Sequence, residues 1–499
     1  MGPRQVKPQR SFVILISGGY TMTVKAQAAI SYIDAKRGLI TGLADKMWDW
    51  AELALWETKS AAALEEALAA EGFTIESGVA GMPTAFVATW GQGTPVIGFL
   101  AEYDALAGLS QEVATTRQER ASGQPGHGCQ HNLLGAGTFG AVIGLKRQME
   151  QQGLAGTIKF FGCPAEENLS GKAFMARDGI FDGVDACFTW HPSSTNKIWS
   201  FSSLANNAAN FSFHGRAAHA AGDPFNGRSA LDAVQLMNMG VEFLREHMVP
   251  KARVHYVITN GGGQPNVVPP EAKVWYLVRA PQRDQVDELW QRVINCARGA
   301  AEMTETTFDI ELLKAIWNLL PNETLEIVLH DAFKRVGPPQ FGPAEIKFAE
   351  EITATIPPAV RDGMLREEKV PESEWGKFLN DTILDRDPNA EPISGSTDVG
   401  DVSWCAPTAQ FGTACAAFGS PGHSWQLVAQ GGMGIGHEGT ITAAKVMAEA
   451  GYELLTNPEA LQMAKDEFQR RTKGAKYQCA MPADQKPAFH QFAPSKGKQ

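Results

Sequence analysis

The chain reads as an α/β protein with a largely parallel central sheet and a small α+β insert. Two patterns predict this. Apolar, strand-like runs alternate with helical patterns along most of its length, and each run breaks into a polar loop. Between about residues 205 and 313 the order changes to β-α-β-β-α-β, the plan of a ferredoxin-like unit.

The elements follow in order. From Ala26 to Gly72, Ile30, Ile33, Leu39, Leu43, Met47, Ala61, Leu64 and Leu68 recur at helical spacing, which predicts two helices. Four strand-to-loop segments come next: PVIGFL into AEYDAL, TIKFFGC into PAEENLSG, VDACFTW into HPSS, and ACAAFG into SPGHSW. Helical patterns at Leu133–Met149 and Thr440–Leu455 separate them. In such sheets, ligands bind beyond the carboxyl ends of the strands, where these loops fall. The insert reads as strand NAANFSFHG, helix Gly227–Met248, strands ARVHYVIT and EAKVWYLVRA, helix Gln285–Met303 and strand TTFDIEL. Pro338–Gly395 is poor in apolar residues and rich in turn formers, so long surface excursions are expected there. The division is a tail at 1–24, a main domain at 25–204 and 314–499, and the insert at 205–313.

Composition narrows the function. With 499 residues, 44% of them apolar and 20% charged, the chain is an ordinary globular protein, and length alone allows about three domains. A net charge of −11 and the lack of a basic stripe argue against nucleic acid. Seven dispersed cysteines show no disulfide spacing, which suits a reducing, cytoplasmic compartment. The apolar run Phe12–Ile16 is far short of the ~20 residues that span a bilayer, so no membrane is expected. No A-x-A cleavage site follows it, and Met22 begins a more regular sequence.

The loops carry the chemistry. GQPGHGCQHNLLGAG (123–137) sets Cys129 and His131 two apart before a helix, and extended spacing of this kind can turn a thiolate and an imidazole to one side. Alone, that motif more often means a turn and a helix cap. Glu166–Glu167 end an apolar strand, where two carboxylates are costly to desolvate without a cation or proton. One can hold metal while the other takes a proton from water. His191, in TWHP, and His423, in SPGHSW, are each more often structural than liganding. Four loops on one sheet edge that each deliver a Cys, His or Glu are what a metal centre needs. Trp190, Trp404 and Trp425 read as core residues first and as an aromatic pocket second.

GHGCQHNLLG, PAEENLSGK, TWHP and GHSW together resemble the aminoacylase and carboxypeptidase superfamily of co-catalytic metallopeptidases, in its indole-acetyl-amino-acid and hippurate hydrolase branch. Further similar stretches are 101–111, ARVHYVITN, MTETT (303–307), STDVGDVSW (396–404) and WQLVAQG (425–431), so the resemblance spans roughly residues 25–480. It implies a zinc-exopeptidase-like main domain and a lid and dimerisation insert. It also implies two divalent ions, Zn or Mn, on Cys129, His131, Glu167, His191 and His423, with Cys129 bridging and Glu166 as general base. His219 is implied to act in the neighbouring subunit's site, with Asn266 and Arg279 near substrate. The implied reaction is hydrolysis of the amide of an N-(aromatic acyl)-amino acid such as p-aminobenzoyl-glutamate, by a homodimer.

Alternatives stay open: an indole-acetyl-aspartate or hippurate type of substrate, an aryl-amine deaminase, a cysteine hydrolase using Cys129, and a non-catalytic partner in a heterodimer. Two departures from the family pattern bear on substrate identity. Gln130 stands where relatives carry Gly, and Asn168–Leu169 stand where small residues are usual. His437, near the C-terminal loop and ahead of a helix, reads as a cap or as support for a ligand.

Overall fold

The computed structural model describes residues 25–491. The tail expected at 1–24 lies outside them. The strands are β1 (Thr74–Ser77), β2 (Phe86–Gln92), β3 (Val96–Ala101), β4 (Gly156–Gly162), β5 (Ala186–Ser193), β6 (Lys197–Ile198), β7 (Ala205–His214), β8 (Arg253–Asn260), β9 (Glu271–Ala280), β10 (Thr307–Ile316) and β11 (Thr408–Ala414). Seven form one sheet in the order β1-β2-β4-β3-β5-β11-β6. The four central strands, β4, β3, β5 and β11, are parallel, and antiparallel pairs close both edges. Four carboxyl ends therefore share one sheet edge.

Helix His131–Gln152 is buried along most of its length, packed between the sheet and helices Gln27–Ala35, Arg37–Trp50 and Gly434–Thr456. Small residues allow the approach: a Cβ on Gly137 would lie 2.6 Å from Trp190. Trp190 is fully buried and its Nε1 donates to Leu134 O at 3.1 Å, so the helix start and the end of β5 are locked together. His131 and His191 sit at that junction.

β7 to β10 form a second sheet, all antiparallel, in the order β10-β7-β9-β8. This is the ferredoxin-like order expected of the insert. Helices Ala230–Leu244 and Arg283–Thr304 cover one face, burying Ala205, Ala209, Phe211 and Phe213 of β7. The other face of β7 turns toward the main domain, with Ala208 in a core shared with Phe174, Val399 and Val402.

Three expectations need correction. Three helices stand where two were expected, Gln27–Ala35, Arg37–Trp50 and Thr58–Ala70, because Lys36 ends the first and Ala51 ends the second with φ 43°. The last main strand is Thr408–Ala414 and not ACAAFG, which leaves the sheet at Ala414. Its amides turn to other acceptors: Ala417 N donates to Gln430 Oε1 and Phe418 N to Phe378 O. Pro338–Gly395 is more than surface loop. Helices Pro343–Thr353 and Pro358–Glu367, with Ile356 between them, bury Ile352, Ile356 and Leu365 in small cores with Ala417, Ile435 and Phe418. A few apolar residues at helical spacing suffice for one packed stripe.

Candidate metal centre

Each central strand delivers a group to the shared edge. β3 leads into Glu102 and Asp104, β4 into Glu166 and Glu167, and β5 carries His191. The loop after β11 carries His423, and the start of helix His131–Gln152 supplies Cys129 and His131. Donor atoms of Cys129, His131 and His191 lie within 4.8 Å of one another, as do those of Cys129, Glu167 and His423. A third set is Glu102, His131 and Glu166. All five ligands implied by the sequence thus meet, with Cys129 common to two sets.

The finer geometry aims these groups inward. His191 Nδ1 is 2.7 Å from Pro192 O, which leaves Nε2 facing Cys129 Sγ at 3.4 Å. Asp104 Oδ1 is 2.8 Å from His131 Nδ1, and its Oδ2 accepts from Glu167 N at 3.0 Å. One carboxylate therefore orients two candidate ligands, the arrangement that fixes a metal-binding imidazole's tautomer. His131 Nε2 lies 3.3 Å from Glu102 Oε2. Lys172, fully buried, bridges Glu102 and Asp398 at 2.6 Å each. Glu57 accepts from Ala165 N at 2.9 Å, steadying the turn before the Glu pair.

Backbone strain gathers at the same place. Gln130, Ala165, Ser170 and His423 all have φ between 51° and 63°. Each such non-glycine residue costs roughly 1–3 kcal/mol and persists only where its surroundings impose it. At Gln130, where the family pattern has Gly, the side chain offsets that cost by donating to Leu427 O at 2.8 Å.

Burial, aided by the neighbouring Glu166, pushes the Glu167 carboxyl up to about 8. Burial and Glu102 raise Glu166, and burial with the Glu167 charge raises the Cys129 thiol. Burial and the charge of His131 push His191 down to about 4. Glu167 Oε1 and His131 Nε2 are buried without a hydrogen-bond partner. Carboxylates and a thiol that resist ionisation, beside the unprotonated His191, are comfortable as ligands only around added positive charge. His131 is raised instead, against its burial, by the neighbouring Cys129 and Asp104. The donor set suits borderline-soft divalent ions.

The remaining sequence candidates fall elsewhere. His219 is exposed, bridged to Val267, with Nδ1 accepting from Gly222 N at 3.0 Å. Asn266 is exposed beside it, its carbonyl accepting from Ala220 N. Arg279 lies on β9, its Nε buried and without a partner. None of the three joins the cluster of its own chain among the described residues. His437 sits in the first turn of helix Gly434–Thr456 rather than before it, and pairs with Asp45 at 2.7 Å. Trp190 is core, Trp404 donates to Asn318 O, and Trp425 packs in the small core around Ile435. The ring stacked on His191 is Trp199, at 5.2 Å and 26°, with Phe201 a further 5.2 Å away.

Sequence reading missed Glu102, Asp104, Lys172, Asp398, Glu57 and Trp199. The signal for the first two was present in the chain, since AEYDAL follows its strand as PAEEN does.

Comparison with known proteins defines the class. A peptidase dimerisation domain model matches residues 206–305. Over 467 residues the chain is 45% identical to a subunit of the p-aminobenzoyl-glutamate hydrolase of Escherichia coli (strain K12), covering 91% of this chain and 97% of that protein. It is 32% identical over 267 residues to Xaa-Arg dipeptidase of Mus musculus, covering 52% and 58%. A crystal structure from Bacillus subtilis, a dinuclear metal-binding peptidase of the M20 family, shares the fold with TM-score 0.54 at 17% identity, over 85% of this chain and 99% of that one. The chain belongs to the M20 family of metallopeptidase-like amidohydrolases. Among the described residues, no helix is long and apolar enough to cross a membrane.

Proposed function

We propose that this enzyme hydrolyses the amide bond of an N-(aromatic acyl)-amino acid of the p-aminobenzoyl-glutamate type. In this reading, Cys129, His131 and His191 hold one divalent ion, Zn or Mn, and Cys129, Glu167 and His423 hold a second. The observation that carries it is the pair of donor triads sharing the Cys129 sulfur, with Glu166 beside them and outside both. When bound, such ions lower the pKa of a coordinated water and polarise the scissile carbonyl.

The chain's own groups do the rest. Glu166 accepts the proton of the attacking water and passes it to the leaving amine, and burial raises its proton affinity toward that task. Asp104 keeps the Nδ1 proton of His131 in place, so that Nε2 offers its lone pair. His219 and Asn266, exposed on the insert, act across a dimer, His219 donating to the developing oxyanion of the partner's site. The dimerisation-domain match supports such an assembly. The Escherichia coli relative is named as one subunit of its hydrolase, which supports a related second chain as another partner. Trp199 and Phe201 beside His191 support an aromatic acyl group. All seven cysteines are free, which supports a reducing, cytoplasmic setting.

The test is a panel of p-aminobenzoyl, indole-acetyl and benzoyl amino acids, assayed for amine release before and after chelation and with Zn or Mn restored. Cleavage of the aromatic conjugates that chelation abolishes and metal restores is expected. Full activity after exhaustive chelation, or no cleavage of any conjugate, overturns the reading.

A further inference from the structure

The insert's sheet presents an unclaimed cation to the main domain. Lys314 lies on β10, where a register shift between Leu312 and Lys314 interrupts the pairing with β7. Before the shift, Leu312 pairs Ala209, whose side chain packs under the helices; after it, Lys314 pairs Ala208, on the opposite face. The bulge therefore turns the lysine away from the insert's own core and toward the main domain.

Lys314 is only 7% exposed, and its ammonium makes no ion pair or hydrogen bond among the described residues. The face it joins, that of Ala208, shares a core with Phe174 and Val399, and the adjoining Lys172 and Asp398 pair with each other and, through Lys172, with Glu102 of the cluster. After burial, the charges of Glu166, Arg279, Asp398 and Glu167 act on the ammonium. Asp398 is already claimed by Lys172 through both oxygens.

The strand between adds a second observation. Asn206 pairs Arg279 of β9 and shares the face of Ala208. It is fully buried, and both its amide nitrogen and its amide oxygen lack a partner. The Arg279 Nε is buried and unpartnered too. Two cations flank one free amide, their strands about 9–10 Å apart across β7. Burying the Asn206 amide and the Arg279 Nε without partners is costly, so a fold that keeps them between two cations has an anion to receive. Two cations suit a dicarboxylate better than a single acid group.

We infer that Lys314, with the Asn206 amide, binds the side-chain carboxylate of the leaving amino acid, so that this enzyme selects acidic amino-acid conjugates. The inference rests on the p-aminobenzoyl-glutamate-type reading above and adds which groups of this chain recognise the acidic side chain.

The test compares p-aminobenzoyl-glutamate with its neutral isostere, p-aminobenzoyl-glutamine, in the metal-loaded wild type, Lys314→Met and Lys314→Arg. Wild type should favour the glutamate conjugate by about 10²-fold in kcat/KM, the scale expected for losing one partner of a buried charged contact. That ratio should collapse toward unity in Lys314→Met and persist in Lys314→Arg. Calorimetric binding of glutarate should weaken in Lys314→Met, and this readout needs no turnover. A wild type that treats the two conjugates alike overturns the inference, as does a Lys314→Met variant that keeps both the preference and glutarate binding. Failure of the wild type to cleave either conjugate counts against the functional reading instead, and glutarate binding then still decides the role of Lys314.

Discussion

Replacing Asp104 with Asn removes one charge and almost no volume, yet it should weaken the metal centre more than loss of an ordinary buried hydrogen bond. Its two oxygens serve two proposed ligands, Oδ1 at 2.8 Å from His131 Nδ1 and Oδ2 at 3.0 Å from Glu167 N. Burial alone would raise this carboxyl, but the hydrogen bond and charge of His131 outweigh it and hold Asp104 below its ordinary value, so it is anionic at neutral pH. In Asp104→Asn one oxygen becomes an NH2 that must face either the His131 N–H or the Glu167 N–H, donor against donor. A buried donor left without an acceptor costs about 1–3 kcal/mol. Loss of a group that orients a ligand costs roughly 10–100-fold in metal affinity, or about 1.4–2.7 kcal/mol. Both ligands are affected, so the upper end, about 100-fold, is expected. Competition against a chelator of known affinity measures it, with kcat taken separately at saturating metal. A metal affinity unchanged within error, in a variant with native melting temperature, would refute the idea that Asp104 organises the centre.

Other outcomes follow from the same geometry. Glu166→Gln should keep its metal and lose at least ~10²-fold in kcat, while Glu167→Gln should lose metal first; metal analysis beside kinetics separates them, and exchanged phenotypes reverse the assignment. Cys129→Ala and His191→Ala should each lose bound metal and activity together, because one Sγ–Nε2 contact links both residues to one site. Inactive His219→Ala mixed with inactive Glu166→Gln should recover roughly a quarter of wild-type activity, since about half the dimers are mixed and each has one intact site. No recovery despite proven subunit exchange would show that His219 does not act in trans. Trp199→Ala should raise KM for aromatic acyl conjugates by about 3–10-fold, from a stacking contact of about 0.5–1.5 kcal/mol, and spare aliphatic ones; equal effects on both would assign Trp199 to packing.

Much of this protein was legible in one dimension because the information was local. A strand followed by a polar loop is a pattern of some ten residues, and such segments pointed to the sheet edge and to the candidate ligands Glu167, His191 and His423, while Cys129 and His131 were read from a loop before a helix. Helix Gly434–Thr456 and the β-α-β-β-α-β insert were readable from periodicity in the same way. Periodicity misled where an apolar run is buried without pairing, as in ACAAFG, or where a few apolar residues make a helix, as in Pro343–Thr353.

Chain order alone leaves the partnerships undecided. Asp104 and His131 are 27 residues apart, and Lys172 and Asp398 are 226 apart. No strand-to-loop pattern marks Asp398 as different from any other acid in a loop. Lys314 is the sharpest case, because strict alternation along β10 would send it under the helices and only the bulge turns it to the other face. Hydrophobic pattern specifies which residues leave water. Which buried charges face each other depends on strand order, register and the docking of one sheet on another, and these are settled only when the whole chain has packed.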